Sequence, residues 1–420
     1  MNEKLLQYLW NFKIFTHFDF KDIEGNDLHI IDFGKWNFDS GPDFLFAKIK
    51  TKGILLAGNI ELHVKSSDWI FHRHSGNPEF DNVILHVVFN HDIDLEEFEQ
   101  KNIPTLALKN YVNEKLLSKY ETLMQETQFI PCEKLFQPSY IPLHFHEENL
   151  LKKLDEASLK IEHQLTLHQN NYEAVLFHQL AYAFGLKVNA DIFHQLASSV
   201  DYVTFNKIRQ NPTQVEALLF GLCNWLEHPA DEQTKIWKRE FEFLKAKFKL
   251  PAVYCTPKFS KLRPPNFPTL RLSQLANLYH QHQNLFSKLI MAKSVAEIHD
   301  LFSKVQASSY WNNRFNFGKI SPVNGVKNLS RDFVELLLIN AILPLKYTYL
   351  KNTQEEIVDE LFTWYEGISP EKNSIIENWQ GLNVKCRNAL ETQSLLFHYK
   401  NKCLQKDCLK CSIGLQIMNK

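Results

Sequence analysis

Glycine is scarce in this chain, 13 of 420 residues, about 3% against a usual ~7% in globular proteins. That scarcity excludes collagen-like and linker-rich architectures, leaves few positions for tight turns, and so points to much helix. No sign of charge prevails either: 47 Lys and Arg face 48 Asp and Glu. Bulk charge therefore gives no argument for a nucleic-acid or membrane partner, and any phosphate-gripping surface has to be local. Uninterrupted apolar runs of the ~18 to 20 residues that a membrane helix needs are missing. Residues 1–15 also lack a basic region followed by an apolar block and a small-residue cleavage site. Seven cysteines, an odd number, spread over this length do not make a secreted disulfide framework. The expectation is a soluble cytoplasmic protein with no membrane association.

Aromatic residues, by contrast, reach 13%, with 32 phenylalanines. A chain of 420 residues that rich in core-forming side chains is expected to bury its core without staples, in two or three domains. After an amphipathic opening at 3–12 come strand-like runs at 28–33, 44–50, 54–64 and 83–89, separated by turns containing Gly, Asp and Asn. From about residue 114 the apolar period becomes 3.6, with helices expected at 150–168, 172–184, 215–226, 235–248, 270–289, 295–305, 331–343, 355–365 and 387–400. The run Arg263-Pro264-Pro265-Asn266-Phe267-Pro268 fits only a loop or an extended bridge. The predicted fold class is α+β: a small α/β sheet domain at 1–105, then a large, mostly helical region at 106–420 ending in a cysteine cluster.

The densest chemical signal lies in two apolar runs, 44–50 and 54–65, around Thr51-Lys52-Gly53. This spacing predicts a hairpin with a three-residue loop, Gly53 in the left-handed position and Lys50 opposite Ile54. Asp43 then falls directly across from Glu61, with Cβ atoms roughly 4.5 to 5.5 Å apart. Period two places His63 and Lys65 on the same face, while Ile60, Leu62 and Val64 pack on the other. Two adjacent carboxylates repel unless something positive lies between them, either a divalent cation or Lys65. The plain alternative is a solvated sheet face of surface ion pairs.

Pro42-Asp43, seventeen intervening residues, then Glu61-Leu62-His63 resemble the signature of the restriction-endonuclease-like PD-(D/E)XK nuclease superfamily. In that superfamily the first acid starts one strand of a hairpin, the second acid and a lysine lie on the other, and an opening helix often adds a Glu, here Glu3. The resemblance implies a nuclease-like fold and Mg²⁺- or Mn²⁺-dependent phosphodiester hydrolysis in DNA or RNA. Asp43 and Glu61 would be the metal ligands and His63 and Lys65 the catalytic assistants. The departure is His63 in the lysine position, with Lys65 two residues late.

Over its whole length the chain also resembles an uncharacterised bacterial conserved-protein family of unknown function. The match is carried by Gly41-Pro42-Asp43-Phe44, 58–63, Ser66-Ser67-Asp68-Trp69, His72-Arg73-His74, 83–88, 263–268 and the C-terminal cysteine segment.

Asp68, His72, His74 and His86 follow the hairpin. His-x-His on an extended segment puts both rings on one face, where Asp68 or His86 completes a transition-metal set or lines the cleft of Asp43 and Glu61. The competing reading is chance, since the chain has 18 histidines; Trp69 reads as a core anchor. Near the C-terminus Cys403, Cys408 and Cys411 share nine residues, a window that at the chain's average frequency holds about 0.15 cysteines. Their C-x4-C-x2-C spacing gathers three thiolates, and Cys132, Cys386 or His398 can supply a fourth ligand. Some nucleases of the superfamily resembled above close their fold with one distant and three C-terminal cysteines, which implies an iron–sulfur cluster on Cys132 and the three; spacing alone admits zinc equally, and a frayed tail of reduced cysteines is the alternative. Lys400, Lys402, Lys406 and Lys410 around the cluster, and Arg263 and Arg271 around the proline loop, are local candidates for phosphate contacts.

These residues support a metal-dependent nuclease first. A catalytically degenerate nucleic-acid-binding or scaffolding protein comes second, and a hydrolase of a small phosphorylated or amide substrate using the histidines third.

Overall fold

The opening helix α1 (Glu3–Asn11) starts on Asn2, whose side chain accepts the Leu5 N–H, and buries Leu5, Leu6, Tyr8, Leu9 and Trp10. The computed structural model, which describes residues 1–37, 40–124, 127–253, 256–353 and 358–419, is α+β: a six-stranded sheet near the N-terminus followed by a large helical region. The strands are β1 (Leu28–Asp32), β2 (Lys35–Trp36), β3 (Phe44–Thr51), β4 (Ile54–Lys65), β5 (Val83–Asn90) and β6 (Thr105–Ala107). Their order is β1-β3-β4-β5-β6, with β2 on β3; β1, β3 and β4 run antiparallel, whereas β5 and β6 continue parallel to β4. A short helix α2 (Asp68–Phe71) sits in the crossover from β4 to β5, and α3 (Glu96–Lys101) in the one from β5 to β6.

The hairpin differs from the sequence expectation in two compensating ways. Its loop is two residues, Lys52 and Gly53, both left-handed (φ 50° and 81°), so Thr51 pairs with Ile54 and Lys50 with Leu55. Such a turn suits the right-handed twist of the strands better than a three-residue loop. A bulge then lies between Phe44 and Ala47, with Phe46 at φ 63°, and it shifts the register so that Phe44 pairs with Ile60. The extra residue restores Asp43 to a position beside Glu61. Gly58, on β4, lets the start of β5 come close: a Cβ there would lie 2.4 Å from the Asn82 carbonyl oxygen.

Two compact units divide the chain, one of Met1–Leu143 with His398–Lys420, the other His144–Phe397. The boundary expected at 105 falls instead on the first residue of β6, whose Leu106 and Ala107 pair with Val87 and Val88. Only three residues long, β6 shows no alternation for sequence reading to catch. The second unit is helical around one large apolar core. Within it the helix expected at 331–343 runs on to Thr353 through a π-helical segment, Leu338–Ile342. That run is long and apolar enough by composition to cross a membrane, but 83% of its most apolar stretch is buried inside the protein. Cys255 and the first residues of the helix expected at 355–365 lie outside the described residues; that helix is described from Val358 to Glu366.

Candidate functional site

The site forms where α1, the start of β3 and the middle of β4 meet. Asp43 and Glu61 clasp each other through the backbone: the Asp43 N–H donates to Glu61 Oε2 (3.0 Å), and the Leu62 N–H donates to Asp43 Oδ2 (3.0 Å). The other Asp43 oxygen, Oδ1, accepts from Gln7 Nε2 at 2.6 Å. Both carboxylate oxygens of Asp43 are thus engaged, and Asp43 acts as a clamp that fixes β4 and Glu61. Gln7 was missed by sequence reading, although it stands four residues after Glu3 on the same face of α1.

Glu61 keeps Oε1 for the other side, 3.3 Å from His74 Nε2 and 3.7 Å from His63 Nε2. His63 is buried (1% exposed), and its Nδ1 lies 3.0 Å from Nε2 of the fully buried His86 on β5, the residue in register with Glu61. His74 stacks on Phe80, ring centroids 3.8 Å apart, and meets Trp69 edge-on. His72 is half exposed, with Nδ1 3.8 Å from Glu3 Oε1. One ligand-capable nitrogen from each of His63, His72 and His74 lies within 4.8 Å of the other two. Among the described residues, His63 Nε2 and His74 Nε2 are buried without a hydrogen-bond partner.

The two histidines of His72-Arg73-His74 reach this point by a route the sequence reading did not foresee. The segment is not extended: His72 caps α2 (φ −80°, ψ −2°) and Arg73 turns left-handed at φ 59°. Asp68 accepts the Lys65 N–H at 2.9 Å in this turn. Trp69 is the buried anchor beneath it, packed with Phe80, Val83, Leu95 and Phe98. Lys65 is exposed at the end of β4, in register with Asn90.

Burial sets the charges. It raises the Asp43 and Glu61 carboxyls far above the usual range, the charge of Glu61 adding to the effect on Asp43. Burial also raises Glu3, with Asp68 adding and His72 and His74 opposing. His63 is pushed down to about 2 by burial and then by His86, His74 and His72. His86 is pushed down to about 3, chiefly by burial, and His74 is lowered for the same reason. The result is neutral imidazoles, with lone pairs, beside carboxyls whose ionised form burial disfavours in the absence of a positive neighbour.

The cysteines form a separate group in the same unit. Cys132, Cys403, Cys408 and Cys411 are all buried, and His398 Nε2 lies 3.3 Å from Cys411 Sγ. Burial raises every one of these thiols, Cys132 and Cys408 to about 12; the thiols of Cys408 and Cys411 add to the effect on Cys132, and all three others add to that on Cys403. Cys386 belongs to the other unit. So do Arg263, which is exposed, and Arg271, whose buried guanidinium donates to Asn266 (2.6 Å) and Gln274 (2.9 Å) and stacks on Phe333. Arg271 therefore fastens the proline loop from inside.

A mixed sheet carrying a buried Glu–His cluster on its central strand, joined to a helical unit, defines the class of protein. The chain belongs to the family described as Protein of unknown function (DUF2851), whose model matches residues 3–374. No match was found among curated proteins or among solved structures.

Proposed function

We propose that the sheet unit is a metal-dependent phosphodiester hydrolase acting on nucleic acid. The observation that carries this reading is Glu61, clasped through one oxygen by the Asp43 N–H and presenting the other to the neutral imidazoles of His63 and His74. A cation held there would activate water and neutralise phosphate charge. Glu3, at the half-exposed edge and 3.8 Å from His72 Nδ1, would take a proton from that water. The resemblance to the nuclease superfamily supports the reading through Pro42-Asp43 ahead of β3, Glu61 on β4 and Glu3 on α1.

The test is cleavage of single- and double-stranded DNA and RNA with added Mn²⁺ or Mg²⁺. Glu61→Gln is expected to lose at least about 100-fold in rate, the scale of a removed charge-stabilising group; cleavage unchanged by it removes the site. A second reading, salt-sensitive nucleic-acid binding without cleavage, is favoured by His63 in the lysine position and by Lys65 standing exposed at the strand end. Metal-loaded turnover excludes it.

A structural metal, zinc or an iron–sulfur cluster, is proposed for Cys132, Cys403, Cys408 and Cys411. Its support is four buried cysteines in one unit, three of them in C-x4-C-x2-C spacing, with His398 Nε2 3.3 Å from Cys411 Sγ. Metal content and the visible spectrum of protein purified without added metal decide: brown colour means iron–sulfur, zinc alone a tetrahedral zinc site, and neither metal retires the proposal.

A further inference from the structure

The nuclease resemblance implies an oxygen-rich site for Mg²⁺ or Mn²⁺ on Asp43 and Glu61, yet the side chains that meet here offer a different donor set. Each Asp43 oxygen already accepts a hydrogen bond, Oδ1 from Gln7 Nε2 and Oδ2 from the Leu62 N–H. Glu61 Oε1 faces His63 Nε2 and His74 Nε2, a nitrogen of each of these imidazoles lies within 4.8 Å of one on His72, and Glu3 stands beside His72. We propose that Glu61, His63, His72 and His74 bind one divalent transition-metal ion, of the class that prefers imidazole to water and carboxylate. The inference shares Glu61 with the hydrolase reading, but it stands on the geometry of the imidazoles and holds whatever the substrate is.

Three observations converge on it. First, His63 Nε2 and His74 Nε2 are buried without a hydrogen-bond partner among the described residues, and both point at the same carboxylate oxygen. A buried nitrogen left unsatisfied is destabilising, and two around one point call for a shared partner that accepts lone pairs. A cation does so and at the same time supplies the positive charge that the Glu61–Glu3 side lacks.

Second, the supporting contacts are those of a metal ligand. With its proton on Nδ1, His63 donates to His86 Nε2 at 3.0 Å, which frees Nε2 as a donor atom and fixes the ring. His74 is held flat against Phe80 and edge-on to Trp69. Third, α2 ends between the two rings: His72 is its C-cap and Arg73 follows in the left-handed conformation (φ 59°) usual just past a helix end. That turn, and not an extended segment, brings His72 and His74 to one point.

Three imidazoles and one carboxylate suit Zn²⁺, Co²⁺, Fe²⁺ or Ni²⁺ and offer little to Mg²⁺, which keeps its waters and asks for oxygen. The test uses chelator-treated, full-length protein titrated with Co²⁺ and with Mg²⁺ by calorimetry, with absorption spectra recorded alongside. Thiolate ligation produces an intense near-ultraviolet charge-transfer band, so binding at the imidazoles is counted as the Co²⁺ uptake that lacks it. The expected result is one such Co²⁺ per chain, bound at least about 100-fold more tightly than Mg²⁺, and weakened by about 10- to 100-fold in His74→Asn and Glu61→Gln. Because His72 is half exposed, His72→Ala tests the site without opening the core, and it too must weaken Co²⁺ binding. Equal affinities for the two ions, or Co²⁺ binding indifferent to His72→Ala and His74→Asn, overturns the inference. Co²⁺ binding with these signatures and no cleavage of nucleic acid upholds it while removing the hydrolase reading.

Discussion

Glu216 shows how far a single buried carboxyl can set the behaviour of the helical unit. It lies on the helix Pro212–Leu222, accepts from the Ser273 hydroxyl, and is 4% exposed. Burial raises its pKa to about 7. The folded state therefore holds the proton more tightly than the unfolded chain. The associated stability is fully present below the ordinary carboxylate range and is lost as pH rises through about 7. A shift of that size corresponds to roughly 3 kcal/mol. Wild-type protein is expected to lose stability to urea between pH 5 and pH 8 by that order more than Glu216→Gln, which keeps the acceptor without the charge. Parallel pH profiles for the two proteins would show that Glu216 does not titrate in this way. At the same scale, the candidate site was legible in the sequence where residue type and period two sufficed: Glu61, His63 and the acid before β3. Gln7 and the role of Asp43 were not, because which oxygen of a carboxylate is occupied depends on a helix that arrives from elsewhere.

Among the elements, the hairpin carries the most consequence. A two-residue turn without a bulge would put Phe44 where Asp43 belongs, because a slip of one residue exchanges the faces of a strand. The left-handed Phe46 corrects the count, and no turn residue in the sequence announces it. Gly58 has the complementary task of letting β5 approach β4 in parallel, with the Asn59 N–H donating to the Asn82 carbonyl at 2.8 Å. Gly58→Ala forces its Cβ to within 2.4 Å of the Asn82 oxygen, a backbone atom that cannot swing away. It is expected to cost at least about 2 kcal/mol, as overpacking does. Denaturant unfolding measures this, and a midpoint equal to wild type would mean that the strand start relaxes freely. The histidine turn is another such element: spacing read it as extended, whereas the structure makes it a helical turn ending at Arg73, and both routes bring the rings together.

On the scale of the whole molecule, the chain closes on itself. His398–Lys420 returns to the unit that Met1 begins, the Lys119 ammonium donates to the Ile417 carbonyl at 3.5 Å, and Phe129 stacks on Tyr399. Cys132 thereby comes into the company of three cysteines more than 270 residues away. If those thiols hold a metal, its removal should raise amide hydrogen exchange in Met1–Leu143 and His398–Lys420 and leave His144–Phe397 protected. This closure is why a division at residue 105 was the natural reading of a one-dimensional pattern and why the compact units are drawn otherwise.

Composition and periodicity by themselves determined the α+β class, the helical character beyond the sheet, and a hairpin bearing Asp43 and Glu61. Each depends on spacing between near neighbours, which the chain carries in its order. The tertiary structure alone decided the hydrogen bonds of Asp43, the meeting of Glu61 with His63 and His74 and of these two with His72, the internal use of Arg271 and the burial of Cys132 with the three C-terminal cysteines. Those outcomes depend on contacts between segments far apart in sequence, where burial and backbone geometry, and not local propensity, select the partner.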